Sequence, residues 1–208
     1  MVVGQMALYN HPCRMLCLQA LLPHVDKVYL RYDIHGLDVG MGITAMSKVQ
    51  SVIMLCGNKL GGLLLSNTPW DATGWREEML RMLDTVKPTV VLCPDEDEMF
   101  TAEIDEDIAA LSKLKRGQMA FGYKAPMPTR DGFDTGPKPY PSKPHVKAYR
   151  WQKHLTYLPY KRRARLANFD KHDMLKGHAQ ILHYSMYTQE MRDNHPTTAK
   201  GKIEANNA

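Results

Sequence analysis

The run Val90-Val91-Leu92-Cys93-Pro94, followed at once by Asp95-Glu96-Asp97-Glu98, constrains this chain more than any other stretch. A short apolar segment rich in β-branched residues reads as a strand buried on both faces, as in a parallel sheet covered by helices. Four carboxylates at its tip repel one another unless something positive sits between them. A divalent cation answers that need, since hard cations take oxygen ligands and bridge protein to phosphate. Read by itself, the cluster also fits an acidic loop capping the next helix, whose first turn favours Asp and Glu.

Elements of the same kind precede and follow it. Val2 to Tyr9 reads as a strand, and Asn10-His11-Pro12 then supplies a cap and a first-turn proline for a helix to about Val25. That helix carries Met15, Leu18, Leu22 and Val25 on one face. Lys27 to Ile34 gives a second strand ending in Asp33. Ile43 to Val49 is expected as a short helix and Val52 to Cys56 as a short third strand, with Gly61-Gly62 and Pro69 as breaks. A helix from about Asp71 to Val86 turns Trp75, Met79, Met82, Leu83 and Val86 inward and stops at Lys87-Pro88. Beyond the acidic tip, Thr101 opens another helix facing Ile104, Ile108 and Leu111 inward, with acids first and Lys113, Lys115, Arg116 and Gly117 last. This alternation predicts an α/β fold, a single three-layer domain on a mainly parallel central sheet.

The second half differs. A strand candidate at 118–123 leads into a loop with Pro126, Pro128, Pro137, Pro139, Pro141 and Pro144, then the basic aromatic strand candidate 145–151 and the cations Lys161, Arg162, Arg163 and Arg165. Ala179 to Tyr187 is the last strand candidate, with His183 inside it, and residues 193–208 read as a polar tail. The expected organisation is one domain over 1–192, with halves 1–117 and 118–192. Of 208 residues, 44% are hydrophobic and 24% charged, an ordinary soluble composition, and the net charge of +5 lies in the second half. That asymmetry points to a polyanionic ligand or partner. Cys13, Cys17, Cys56 and Cys93 lack metal spacing and sit in apolar segments, which reads as reduced thiols and a cytoplasmic setting without a membrane anchor.

The order of these motifs resembles the nucleotide-sugar half of a family-2 glycosyltransferase of the GT-A, Rossmann-like fold. The first strand ends in Leu8-Tyr9-Asn10, the second in Asp33, Trp75-Arg76 lies on the helix before the acidic strand, Asp95-Glu96-Asp97 stands where the family has its metal-binding acidic triplet, and His183 matches a late histidine. The resemblance spans roughly residues 2–192. One departure is that Asp33 is followed by Ile34-His35-Gly36, not by the family's Ser/Thr-Asp turn.

The resemblance implies transfer of a sugar from a nucleoside diphosphate sugar, a UDP-sugar first, with Mn²⁺ or Mg²⁺. Tyr9, Asp33, Arg76 and Asp95 would contact the donor, Asp97 and His183 would hold the metal together with Asp95, and Asp173 is taken as the base among the late acids Asp131, Asp134, Asp170 and Asp173. The basic aromatic residues Arg150, Trp151, Arg162, Arg163 and Arg165 are assigned to the acceptor, either a hydroxylated base in DNA or a saccharide or protein. A carboxylate-metal nucleotidyltransferase or nuclease, and a non-catalytic nucleic-acid-binding module, are the competing readings. Further acids spaced for two metals would mark the former, whereas the chain offers His183.

Overall fold

The computed structural model describes residues 1–8, 11–34, 42–67, 72–114, 120–123, 127–129, 132–134, 145–153, 155–160, 163–167 and 174–184. Its core is a seven-stranded sheet built from β1 (Val2–Leu8), β2 (Lys27–Asp33), β3 (Leu60–Ser66), β4 (Val90–Leu92), β6 (Ala120–Tyr123), β9 (His145–Arg150) and β12 (Met174–Lys176). The order across it is β12-β6-β9-β4-β1-β2-β3. Strand β1 runs parallel to both β2 and β4, β2 to β3, and β12 to β6, while β9 runs antiparallel between β4 and β6.

Helices cover both faces. On one side α1 (Arg14–Leu21), α2 (Gly42–Cys56) and α4 (Ile104–Lys113) bury Leu18, Leu21, Val52, Cys56, Ile104 and Leu111 against Met6, Leu8, Leu30 and Leu92. On the other, α3 (Ala72–Val86) packs Leu80 and Leu83 on Val3, Val91 and Tyr149, and Trp75 and Met79 on Ala7. The expected three layers and mainly parallel sheet are therefore present. Among the described residues no helix is long and apolar enough to cross a membrane.

The region after β2 departs from expectation. Residues 43–56 form one continuous helix, with Val49, Val52 and Cys56 at helical spacing in the core, and the third strand is Leu60–Ser66. The Gly61-Gly62 pair, expected to break structure, lies inside that strand because the Tyr29 ring covers it. A Cβ on Gly61 would stand 2.6 Å from ring carbons of Tyr29. Close approach, not a turn, is the reason for glycine there.

Short pairs complete the fold. β5 (Glu98–Phe100) pairs antiparallel with β13 (Ile181–His183), β7 (Met127–Thr129) with β8 (Gly132–Asp134), and β10 (Thr156–Tyr160) with β11 (Arg163–Ala167). The last strand candidate thus joins β5 and not the central sheet. On α3, Glu77 fastens β10 by accepting from the Thr156 hydroxyl at 2.5 Å and from the Tyr157 backbone N–H.

Candidate active site

The chain leaves β1 for α1 and β2 on one side, whereas β4 lies on β1's other side. The carboxyl ends of β1 and β4 therefore border a topological switch point, the crevice where open α/β sheets take ligands. The acidic turn follows β4 there and His11 follows β1. The two loops touch, since the His11 backbone N–H donates to Glu96 Oε1 at 3.4 Å.

Each acid of the turn has its own setting. Asp95 accepts from Arg76 at 3.0 Å through Oδ1 and from Lys147 Nζ at 2.5 Å through Oδ2. Lys147 also contacts Glu98 Oε2 at 2.7 Å, and the Asp95 backbone N–H donates to the same oxygen at 2.8 Å. Glu98 is buried at the start of β5. Asp97 Oδ2 meets His183 Nε2 at 3.0 Å. That meeting comes from the β5–β13 pairing, which sets His183 opposite Glu98, and from the Tyr184 backbone N–H, which donates to the Asp97 carbonyl at 2.7 Å. Thus residues 86 positions apart (183 − 97) share one point of the crevice.

The charges shift one another as this geometry requires. Burial pushes Asp95 up, but Lys147 and then Arg76 outweigh it and hold the carboxyl well below the usual range. Burial raises Glu98 despite Lys147. Lys147 is itself raised, its desolvation outweighed by Asp95 and Glu98. For His183 burial lowers the pKa, but the hydrogen bond and charge of Asp97 more than offset it, and the net shift is upward. His11 moves down through burial, which Asp97 opposes and His183 and Arg14 reinforce.

The remaining expected residues fall in several places. Asp33 is buried at the end of β2, at the same edge of the sheet. Arg76 lies against the Trp75 ring at 4.5 Å and the Tyr157 ring at 5.5 Å, aimed at Asp95. Tyr9, Asp173 and Arg162 lie outside the described residues, as do residues 193–208, and Arg163 and Arg165 belong to β11. Arg150 and Trp151 lie away from the acidic turn. Because β9 runs against β4, Arg150 pairs with Val90, at the opposite end of the strand from the acidic turn. Its guanidinium donates to the Ser112 carbonyl at 3.0 Å and to that of Leu114, closing the end of α4. Trp151 packs against the core beside Tyr149 and Tyr157.

Sequence reasoning missed three contributors. Lys147 was visible only as one cation among many, yet it alternates with Tyr149 on one face of a strand, and a lysine on a buried face needs an acid. Asp107 of α4, fully buried, accepts from the His178 backbone N–H and Nδ1 at 2.9 Å each and from the Ala179 N–H at 3.0 Å, anchoring the turn that leads to His183. His11 carried no signal beyond its place after a strand.

A divalent ion is tested by these donors. Asp97 and His183 offer one oxygen and one nitrogen, and among the described residues no group of three metal-ligating side chains forms. Such a pair fits an ion that takes its other ligands from water and from substrate phosphates, as Mg²⁺ and Mn²⁺ sites do.

No family model matches the chain, and no curated protein does. Among solved structures it is similar to S. aureus TarS 1–349, at 17% identity over 72% of this chain and 46% of that one, with a TM-score of 0.39. The same protein in complex with UDP-GlcNAc aligns at 19% identity over 60% of this chain and 34% of its own, TM-score 0.37. HddC from Yersinia pseudotuberculosis aligns at 12% identity over 88% and 77%, TM-score 0.40. The chain thus spans less than half of the TarS chains it resembles.

Proposed function

We propose that this chain is a metal-dependent glycosyltransferase, moving a sugar from a nucleoside diphosphate sugar to a hydroxyl acceptor. The observation that carries the reading is the convergence of Asp97 and His183, 3.0 Å apart, beside the β1/β4 switch point. A carboxylate and an imidazole at a ligand-binding crevice suit an ion held jointly by protein and diphosphate. When bound, that ion supplies Lewis-acid stabilisation of the departing diphosphate.

The chain's own residues do the rest. Asp97 and His183 hold the ion. Asp95 keeps Arg76 and Lys147 at the crevice edge, and Asp33 takes the nucleoside from the neighbouring strand end. Asp173 is assigned the proton of the acceptor hydroxyl. The acceptor, a hydroxylated base in DNA or else a saccharide or protein, is assigned to the segment 125–145, which carries β7 and β8, and to the basic stretch 147–165 with Arg162, Arg163 and Arg165.

Calorimetry with Mn²⁺ and a panel of nucleoside diphosphates, UDP first, tests this on the wild type and Asp97→Asn. Mn²⁺-dependent nucleotide binding is expected in the wild type and lost in Asp97→Asn, whose unfolding midpoint stays near that of the wild type. Unchanged binding in the variant would sink the metal assignment. Absence of binding across the whole panel would sink the function.

A further inference from the structure

Every polar atom of His11 except one has a partner. Its backbone N–H reaches Glu96, and its carbonyl accepts from the Arg14 backbone N–H and from Arg14 Nη1, both at 3.1 Å. Its Nδ1 accepts from the Cys13 backbone N–H at 3.2 Å, serving one of the donors that the start of α1 leaves over. That bond fixes the tautomer, because an accepting Nδ1 puts the ring proton of neutral imidazole on Nε2. Yet Nε2 is closed off and has no partner among the described residues. One more donor nearby is in the same state. Arg14 Nε is likewise buried without a partner, while the hydroxyl of the fully buried Tyr32, near the end of β2, faces the Arg14 guanidinium.

Buried donors without acceptors are costly, and native proteins tolerate such groups where a ligand completes them. We propose that His11 Nε2–H donates to an oxygen of the donor substrate's diphosphate, an inference that rests on the glycosyltransferase reading. The His11 backbone is tied to Glu96, the neighbour of Asp97 in the acidic turn, so this oxygen would lie on the turn's side of the crevice. The carboxylates of Glu96 and Asp97 repel a bare anion, which makes the cation a condition for this contact.

Two substitutions separate this from a structural role. His11→Asn keeps an acceptor for the Cys13 N–H but removes the Nε2 donor, whereas His11→Gln places an amide N–H near the Nε2 position. Titrations use bare Mn²⁺, then UDP with Mn²⁺. Bare Mn²⁺ should bind both variants like the wild type. UDP affinity in Mn²⁺ should fall about 10-fold or more in His11→Asn, the loss expected for one hydrogen bond to a charged oxygen, and stay within about 3-fold in His11→Gln. Wild-type UDP affinity in His11→Asn, or equal losses in the two variants, would overturn the proposal. Weakened bare Mn²⁺ binding would overturn it too, making His11 part of the metal site. A wild-type protein that binds no nucleoside diphosphate removes the glycosyltransferase reading instead.

Discussion

Replacing Lys147 by methionine tests the ionic core of the acidic turn. The Lys147 side chain is 7% exposed and Glu98 8%, with 2.7 Å between Nζ and Oε2. Methionine keeps the stem and removes the charge. Breaking a buried pair by deleting one partner costs about 3–5 kcal/mol, because the other charge is left buried. Asp95 adds little to that figure. Its side chain is 42% exposed and it keeps Arg76 at 3.0 Å, so solvent screens its loss as it does for surface pairs, at about 0–1 kcal/mol. Glu98 also keeps the Asp95 N–H. The low end of the range follows, about 3 kcal/mol, read as a lower urea midpoint at unchanged slope.

The deficit should depend on pH, with a definite sign. Glu98 is raised by burial above its ordinary 4.5 even with Lys147 beside it. A carboxyl raised in the folded state contributes stability below its unfolded pKa and loses it as pH rises through the folded one. Without Lys147 that folded value climbs further, so Lys147→Met should lose more stability at pH 8 than at pH 5. Adding Glu98→Gln should recover about 1–2 kcal/mol and flatten the pH dependence. A cost below about 1 kcal/mol, or a double variant no more stable than the single, would refute the reasoning.

Three further outcomes follow from other contacts. Asp107→Ala removes the acceptor for three N–H donors and should cost about 2–4 kcal/mol, with a weakened Mn²⁺-dependent nucleotide affinity as the His183 turn loosens; urea unfolding below about 1 kcal/mol of change contradicts this. Neutralising Arg162, Arg163 and Arg165 together should weaken binding to hydroxylated-base DNA and flatten its salt dependence, while equal slopes would move the acceptor to a saccharide or protein. Because His183 is raised above 6.5 by Asp97, its contribution to the free protein's stability is complete below pH 6.5 and fades as pH rises through the folded value, while Mn²⁺ affinity rises over the same interval; thermal unfolding with and without Mn²⁺ should diverge upward with pH, and parallel curves would contradict the site.

Much of the fold of the first half was legible because hydrophobic period and punctuation agreed. β1, β2, α3, β4 and α4 fall within a few residues of the stretches the pattern marks. The failure at 43–66 arose where the two signals conflicted. Val52-Ile53-Met54-Leu55-Cys56 is apolar enough for a strand, and Gly61-Gly62 reads as a break unless the Tyr29 ring over it is known. Long-range partners were less legible. The insertion of β9 beside β4, which delivers Lys147 to the turn and carries Arg150 away from it, depends on strand order across some fifty residues. No local pattern states that order.

The four acids of the turn can now be distinguished by what each would have to release to accept a cation. Asp95 would give up Lys147 and Arg76, both held charged by that very contact. Glu98 would give up Lys147 from a buried position. Neither lysine nor arginine sheds its proton near neutral pH, so a cation arriving there meets two fixed positive charges. Asp97 faces a histidine, the side chain whose proton leaves in the neutral range. Loss of that proton leaves an imidazole lone pair beside the Asp97 carboxylate, the donor set that the proposed ion needs. The same four-residue cluster therefore contains three acids committed to the fold and its neighbouring loop, Glu96 through the His11 N–H among them, and one whose partner can change role. That asymmetry favours Asp97 and His183 over the other acids as holders of the proposed ion, and it leaves Asp95 in contact with Arg76 and Lys147.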